Sequence, residues 1–149
     1  MLIKEISIGN VVVCGAQTSA LQAASLMRHR HVGDVVVVDD PSDEGVPLGV
    51  VTDRDLAIEV LGNGLDPAKT TVGSLMRKPV VIARETEDTA LIIERMRACG
   101  VRRVPVVAGE GGVVGIVTLN DLLKALVGEM SALLEIVTKG QRNEQHSRR

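Results

Sequence analysis

Gly49-Val50-Val51-Thr52-Asp53-Arg54-Asp55 is written a second time as Gly115-Ile116-Val117-Thr118-Leu119-Asn120-Asp121. In both strings a glycine opens a short β-branched run that ends in Thr-x-x-Asp. An apolar-periodic segment follows and stops at Gly62 or Gly128. The pattern is a buried strand running straight into a helix. Further upstream, Met27-Arg28, Val32 and Val35–Val38 return as Met96-Arg97, Val101 and Val104–Val107, each sixty-nine residues on. Val11-Val12-Val13 meets Val80-Val81-Ile82 in the same register. Downstream the spacing falls to sixty-six, which places three extra residues in the turn from Asp39 to Leu48 of the first copy. A longer turn costs little, so the register survives on both sides of it. The chain is a duplicated unit.

Each copy reads as strand, helix, strand, strand, helix. The first strands are Val11–Cys14 and Val80–Ala83, and each leads into a cap: Ser19 with Gln22, or Thr86-Glu87-Asp88. The helices that follow carry Ala20, Ala23, Ala24 and Met27, or Thr89, Ile92, Ile93 and Met96, at helical spacing. A hairpin comes next, its turn plain in Gly109-Glu110-Gly111-Gly112. The first two strands, joined through a helix, are expected to be parallel and the hairpin antiparallel. The fold class is therefore α/β of the α+β kind, two tandem βαββα repeats. A unit of this size buries too little surface alone, so the two are expected to pack around a pseudo-twofold axis. Repeat 1 covers 1–61, a linker 62–71, repeat 2 72–128, and a helical extension with a polar tail 129–149. The helix from Asp121 to Leu134, continuing to Thr138, carries Leu122, Leu126, Met130 and Leu133 on one stripe, widened by Leu123, Val127, Leu134 and Val137. So broad a face suits a subunit contact or core packing. Lys139 to Arg149 is expected to be unstructured.

Composition narrows the function. The 149 residues are 45% hydrophobic and 24% charged, which suits a folded chain, and 17 basic against 19 acidic residues leave a net charge of −2. That balance argues against an electrostatic grip on nucleic acid or on an anionic membrane. There is no Phe, Tyr or Trp, so no base can stack on an aromatic ring. No apolar run reaches the ~20 residues of a membrane helix, and Met1-Leu2-Ile3-Lys4-Glu5 does not read as a signal peptide. Cys14 and Cys99 lie far apart, form no metal-binding or disulfide pattern, and read as small buried apolar residues. A reducing cytoplasm is the expected setting. His29-Arg30-His31 ends a helix, where cations suit the dipole better than they suggest a metal site.

Thr-x-x-Asp at a helix start admits two readings. As a capping box, Thr and Asp satisfy orphan backbone donors. As a nucleotide site, the helix N-terminus and the Thr hydroxyl face a phosphate while the Asp holds ribose hydroxyls. Its double occurrence at matching places puts the two readings level, and both can hold together.

With the repeat, the Val101-Arg102-Arg103-Val104-Pro105-Val106-Val107 string and the two Gly-x-x-Thr-x-x-Asp strings, the chain resembles the tandem cystathionine-β-synthase (CBS) domain pair. The resemblance spans about Ile3 to Val127 and is closest to small stand-alone bacterial members. It implies a regulatory module that binds AMP, ADP or ATP, with S-adenosylmethionine or NAD as further options, in clefts between the repeats. Carried over, Asp55 and Asp121 hold ribose, and Thr52 and Thr118 hold phosphate. Val80, Val81 and Ile82 present backbone to the adenine of the Thr52/Asp55 site, as Val11, Val12 and Val13 do for the Thr118/Asp121 site. Arg102 and Arg103 stand where the family places phosphate-binding residues. Their matches in repeat 1 are Gly33 and Asp34, and Asp53 puts a carboxylate where repeat 2 has Leu119. The tighter site is therefore expected at Thr118/Asp121. The resemblance further implies a homodimer through the repeats and a separate effector protein. The alternative is a ligand-free dimer that serves as an interaction or stress-response module. No arrangement of nucleophile, base or metal ligands marks an enzyme.

Overall fold

The structure, a computed structural model, describes residues 1–43 and 45–147. Repeat 1 is built as α1 (Ile3–Ile6), β1 (Val13–Gly15), α2 (Ala20–Arg30), β2 (Asp34–Val38), β3 (Pro47–Thr52) and α3 (Asp53–Asp55, continued as a π-helical Leu56–Leu61). Repeat 2 follows as α4 (Val72–Leu75), β4 (Ala83–Arg84), α5 (Thr89–Cys99), β5 (Arg103–Val107), β6 (Val113–Thr118) and α6 (Leu119–Ser147). Each copy forms a three-stranded sheet, β1-β2-β3 and β4-β5-β6, with the first pair parallel and the hairpin antiparallel. The same register shift recurs in both hairpins, at Val37/Val38 and at Val106/Val107.

The unbroken valine run of β2 is explained by burial on both faces. Val35 and Val37 join Val51, Ala23 and Met27 in the core of repeat 1. Val36 and Val38 turn the other way and meet Ile116 of repeat 2, forming the seam between the sheets. Repeat 2 has its own core around Val104, Val106, Ile92 and Met96.

Two short helices complete these cores, and they do so crosswise. Ile3 of α1 is fully buried in the core of repeat 2, whereas Val72 of α4 is fully buried in the core of repeat 1. The two residues are sixty-nine apart, so they are equivalents that have exchanged places. Backbone bonds fix the exchange: Ile3 N–H donates to Glu87 O at 3.0 Å, and Val72 N–H donates to Thr18 O at 2.8 Å. The exchanged arms also explain the glycine that opens each decisive string. A Cβ on Gly49 would stand 2.7 Å from Met76 Cβ, and one on Gly115 would stand 3.2 Å from Ser7 Oγ.

The helix starts form as their sequences predict. Ser19 Oγ accepts Gln22 N–H at 3.1 Å while Gln22 Oε1 accepts Ser19 N–H at 3.0 Å, and Asp88 Oδ1 accepts Ala90 N–H at 2.9 Å. The α2 stripe buries Ala20, Ala23 and Met27 but leaves Ala24 exposed; in α5, Ile92 and Met96 are buried while Ile93 remains 38% exposed. Three expectations are corrected. The first strands begin later than Val11 and Val80, because ladder pairing starts only where Val13 faces Val36 and Ala83 faces Val106. Cys99 is exposed at the end of α5, although Cys14 is buried and its thiol pKa is pushed up by that burial. The polar segment from Lys139 is helical through Ser147, because α6 continues without a break; Arg148 and Arg149 lie outside the described residues. Among the described residues, no helix is long and apolar enough to cross a membrane.

Two outcomes follow from the crosswise packing. Ile3→Ala is expected to cost about 2–5 kcal/mol and to lower the urea midpoint of the whole chain in one transition, followed by circular dichroism. Gly49→Ala is expected to destabilise by about 1–3 kcal/mol and Gly115→Ala by less, because the new Cβ would stand 2.7 Å from Met76 Cβ in the first and 3.3 Å from Ser7 Cβ in the second.

Candidate functional site

Thr52 and Thr118 sit where β3 and β6 turn into α3 and α6, and both capping boxes are closed. Thr52 N–H donates to Asp55 Oδ2 at 2.9 Å, and Asp55 N–H donates back to Thr52 Oγ1 at 3.1 Å. In repeat 2, Thr118 N–H and its hydroxyl both donate to Asp121 Oδ2, at 2.9 and 2.7 Å, and Asp121 N–H returns to Thr118 Oγ1 at 3.2 Å. Asp121 is thus bound by one more donor than Asp55.

A cleft of 260 Å³ opens beside the first of these boxes, near the ~300 Å³ lower end for small-molecule sites. Thr52, Asp53, Arg54 and Asp55 of repeat 1 form one wall; Arg77, Val80, Val81, Arg102 and Arg103 of repeat 2 form the other. Four arginines face two aspartates there, so the cleft is electropositive in a chain of net charge −2. Arg54, Arg77 and Arg102 are exposed, and among the described residues no side-chain hydrogen bond or ion pair holds them.

The sequence-derived residues divide around this cleft. Thr52, Asp55, Val81, Arg102 and Arg103 come together in it. Ile82 does not line it, because its carbonyl accepts Arg95 Nη1 at 2.6 Å, and the same guanidinium is paired with Glu87 at 2.8 Å. Val12 and Val13 lie away from it: the Val12 carbonyl accepts Val36 N–H at 2.9 Å, and Val13 pairs with Val36 and packs in the seam. One ground for a tighter Thr118/Asp121 site falls away, since Arg102 and Arg103 line the opposite cleft, with Thr52 and Asp55; the other, the Asp53 carboxylate beside the Thr52 helix start, stands. Aligning the copies shows which residues are equivalent, but the pseudo-twofold packing decides which cleft they face.

The first turn of α3 is also already occupied. Asp53 N–H donates to Gly33 O at 3.0 Å, Arg54 N–H to Asp53 Oδ1 at 2.8 Å, and Asp55 N–H to Thr52. The Asp53 carboxylate therefore sits where an anion would meet the helix N-terminus. An anion in this cleft has to be met chiefly by arginine side chains.

Arg103 has a second role that sequence reasoning missed. Its Nε lies 3.2 Å from Asp34 Oδ2, and its Nη1 donates to Gly33 O at 3.1 Å. Asp34 and Arg103 are equivalents sixty-nine residues apart, so this ion pair joins matching positions of the two repeats. The signal was present, as opposite charges at one repeat position. The Asp34 carboxyl titrates above the usual carboxylate range, because burial disfavours its charge; Arg103 pulls it back and Asp53 adds to the rise. At the end of α2, His29 Nδ1 meets Ser25 O at 2.7 Å and His31 caps the helix at φ 54°. Among the described residues, no group of three His, Cys, Asp or Glu is placed to hold a metal ion.

The sequence model of the CBS domain matches residues 3–62 and 72–128, and the chain belongs to the CBS domain family. Hypoxic response protein 1 of Mycobacterium tuberculosis is 32% identical over 123 residues, 83% of either chain. A crystal structure of Hypoxic Response Protein I with two coordinated zinc ions superposes with a TM-score of 0.72 at 29% identity, over 83% of this chain and 98% of that one. The protein MK0525 of Methanopyrus kandleri is 32% identical over 126 residues; these are 81% of this chain and 63% of its own length. The CBS domain pair of protein MJ0100, in complex with 5-methylthioadenosine and S-adenosyl-L-methionine, superposes with a TM-score of 0.74 at 26% identity, over 87% of this chain and 98% of that one.

The Asp34–Arg103 pair carries a pH signature. A carboxyl whose pKa is raised by folding contributes stability below its unfolded value and loses it as pH rises through the raised one. Arg103 limits that loss. Arg103→Ala is expected to cost about 1 kcal/mol near pH 4, from the lost bond to Gly33 O. The loss is expected to grow as the pH is raised towards 7 and Asp34 ionises without its partner; urea midpoints at the two pH values check this.

Proposed function

We propose that this chain is a regulatory module that binds an adenosine-containing nucleotide in the Thr52/Asp55 cleft. The observation that carries the reading is the composition of that cleft: an aspartate at a helix start in one repeat, valines and exposed arginines in the other. Asp55 Oδ1 carries no hydrogen bond in the closed capping box and is the acceptor for a ribose hydroxyl. Val80 and Val81 flank the base. Arg102, Arg54 and Arg77 meet phosphate oxygens, which favours AMP, ADP or ATP over the cationic S-adenosylmethionine. The likeness to the MJ0100 pair, whose structure holds adenosine derivatives, supports the ligand class. The Thr52/Asp55 site is the tighter of the two, because it holds the arginines. A ligand touching both repeats shifts their relative arrangement only by its differential affinity for the two states, and the output passes to a separate effector protein. The helices of repeat 1 also expose Leu21 at 54%, Ile58 at 48% and Leu61 at 75%, and we assign these to a homodimer contact.

One observation favours the alternative, a ligand-free interaction module. Both Thr-x-x-Asp strings already satisfy themselves as caps, and the first turn of α3 has no open donor. Melting curves separate the readings. Without aromatic side chains, unfolding is followed by circular dichroism at 222 nm. A nucleotide at ~100 times its Kd is expected to add ~2.7 kcal/mol, which raises Tm by roughly 5–10 °C. Asp55→Ala is expected to abolish the shift, Arg102→Ala to weaken binding about tenfold, and Asp121→Ala to leave most of it. No shift with AMP, ADP, ATP or S-adenosylmethionine assigns the chain to the interaction reading.

A further inference from the structure

The helix α6 runs for 29 residues, roughly 43 Å, and only its beginning rests on the rest of the chain. Leu122 is 3% exposed against the core of repeat 2, whereas every residue from Leu126 through Ser147 is exposed. The part beyond Gly128 also lies outside the residues matched by the family. Its surface is not that of a solvated helix. Leu123, Leu126, Met130, Leu133 and Val137 follow one another at spacings of three and four, the repeat of a coiled-coil seam, and are between 46% and 64% exposed. Val127 and Leu134 widen the same face, at 61% and 66%.

We propose that α6 pairs with the α6 of a second copy of this chain, along the seam from Leu123 to Val137. Three features of the helix point to its own copy as the occupant. The seven seam and flanking side chains together offer an apolar area on the order of the ~800 Å² per partner that a specific interface buries. From Leu123 to Lys139, just past the seam, the helix carries Lys124 and Lys139 against Glu129 and Glu135, a balanced set that two copies can share without repulsion. Glu135 and Lys139 satisfy each other at 3.8 Å one turn apart, away from the seam. A partner selected by charge would call for an excess of one sign. Finally, Gly128 and Gly140 each weaken the helix by ~1 kcal/mol relative to alanine, so an uncovered α6 lacks the packing that holds most protein helices together. This interface stands apart from the contact assigned to the helical faces of the repeats and does not depend on the nucleotide reading.

Met130 lies at the midpoint of the seam, so its two copies come close whether the helices run parallel or antiparallel. In the full chain carrying Cys99→Ser, Met130→Cys is expected to form a covalent dimer under mild oxidation. Addition of Leu133→Glu is expected to reduce that dimer at least tenfold. Ser131→Cys, next to the seam on the outer side, is expected to cross-link at least tenfold less. All these positions are exposed or partner-free, and the 222 nm signal of each variant checks that the repeats remain folded. Absence of the Met130→Cys dimer overturns the proposal. So does a dimer that survives Leu133→Glu or forms equally well through Ser131→Cys, because either outcome means random collision.

Discussion

The crosswise burial of Ile3 and Val72 is the contact on which the rest of the molecule depends. Each repeat closes its core with a helix supplied by the other, so neither half is complete without its partner. The seam valines Val36 and Val38 add apolar area between the sheets, but apolar area alone does not set one orientation. The exchanged arms do, because each runs close over a glycine, where an added side chain would crowd it, and is tied by backbone bonds on arrival. The two sheets are therefore held in one relation, and the cleft between them has a defined shape.

That cleft owes its charge to the same relation. Arg103 serves two purposes at once: it neutralises Asp34 across the pseudo-twofold, and it lines the site beside Thr52 and Asp55. An anion that draws on this guanidinium competes with a carboxylate already short of solvation. Occupancy of the cleft and the fit between repeats are thereby linked through one side chain. Asp53 works in the opposite direction, filling the helix start with its own carboxylate, so that the positive charge of the cleft rests on its arginine side chains.

The duplication was legible in the sequence, and with it the sheet order, the parallel and antiparallel pairings and the caps at Ser19 and Asp88. These rest on local pattern: runs of valine, hydroxyl or acidic caps, and glycine stops. The helices α1 and α4 were not legible, because four residues are barely one turn and show no periodicity. The facing of Arg102 and Arg103 was lost for a different reason, since their cleft depends on how the copies pack. Ile82 matched the expected place along the chain, but its carbonyl had been claimed by Arg95, a residue thirteen positions away. The extent of α6 was underestimated because its last turns are polar, and polar residues with good helix propensity resemble a tail when only hydrophobic spacing is read.

The traded arms also bear on how such a chain could arise. A single ancestral unit would have carried a first helix with no place in its own core and a core with a gap where that helix belongs. Two such units could satisfy each other only by swapping arms, as a symmetric pair. Joining them end to end through residues 62–71 would then have made permanent an association that concentration had governed before. Once the halves were covalently linked, the copies were free to diverge, and aspartate could settle at position 34 while its counterpart became arginine.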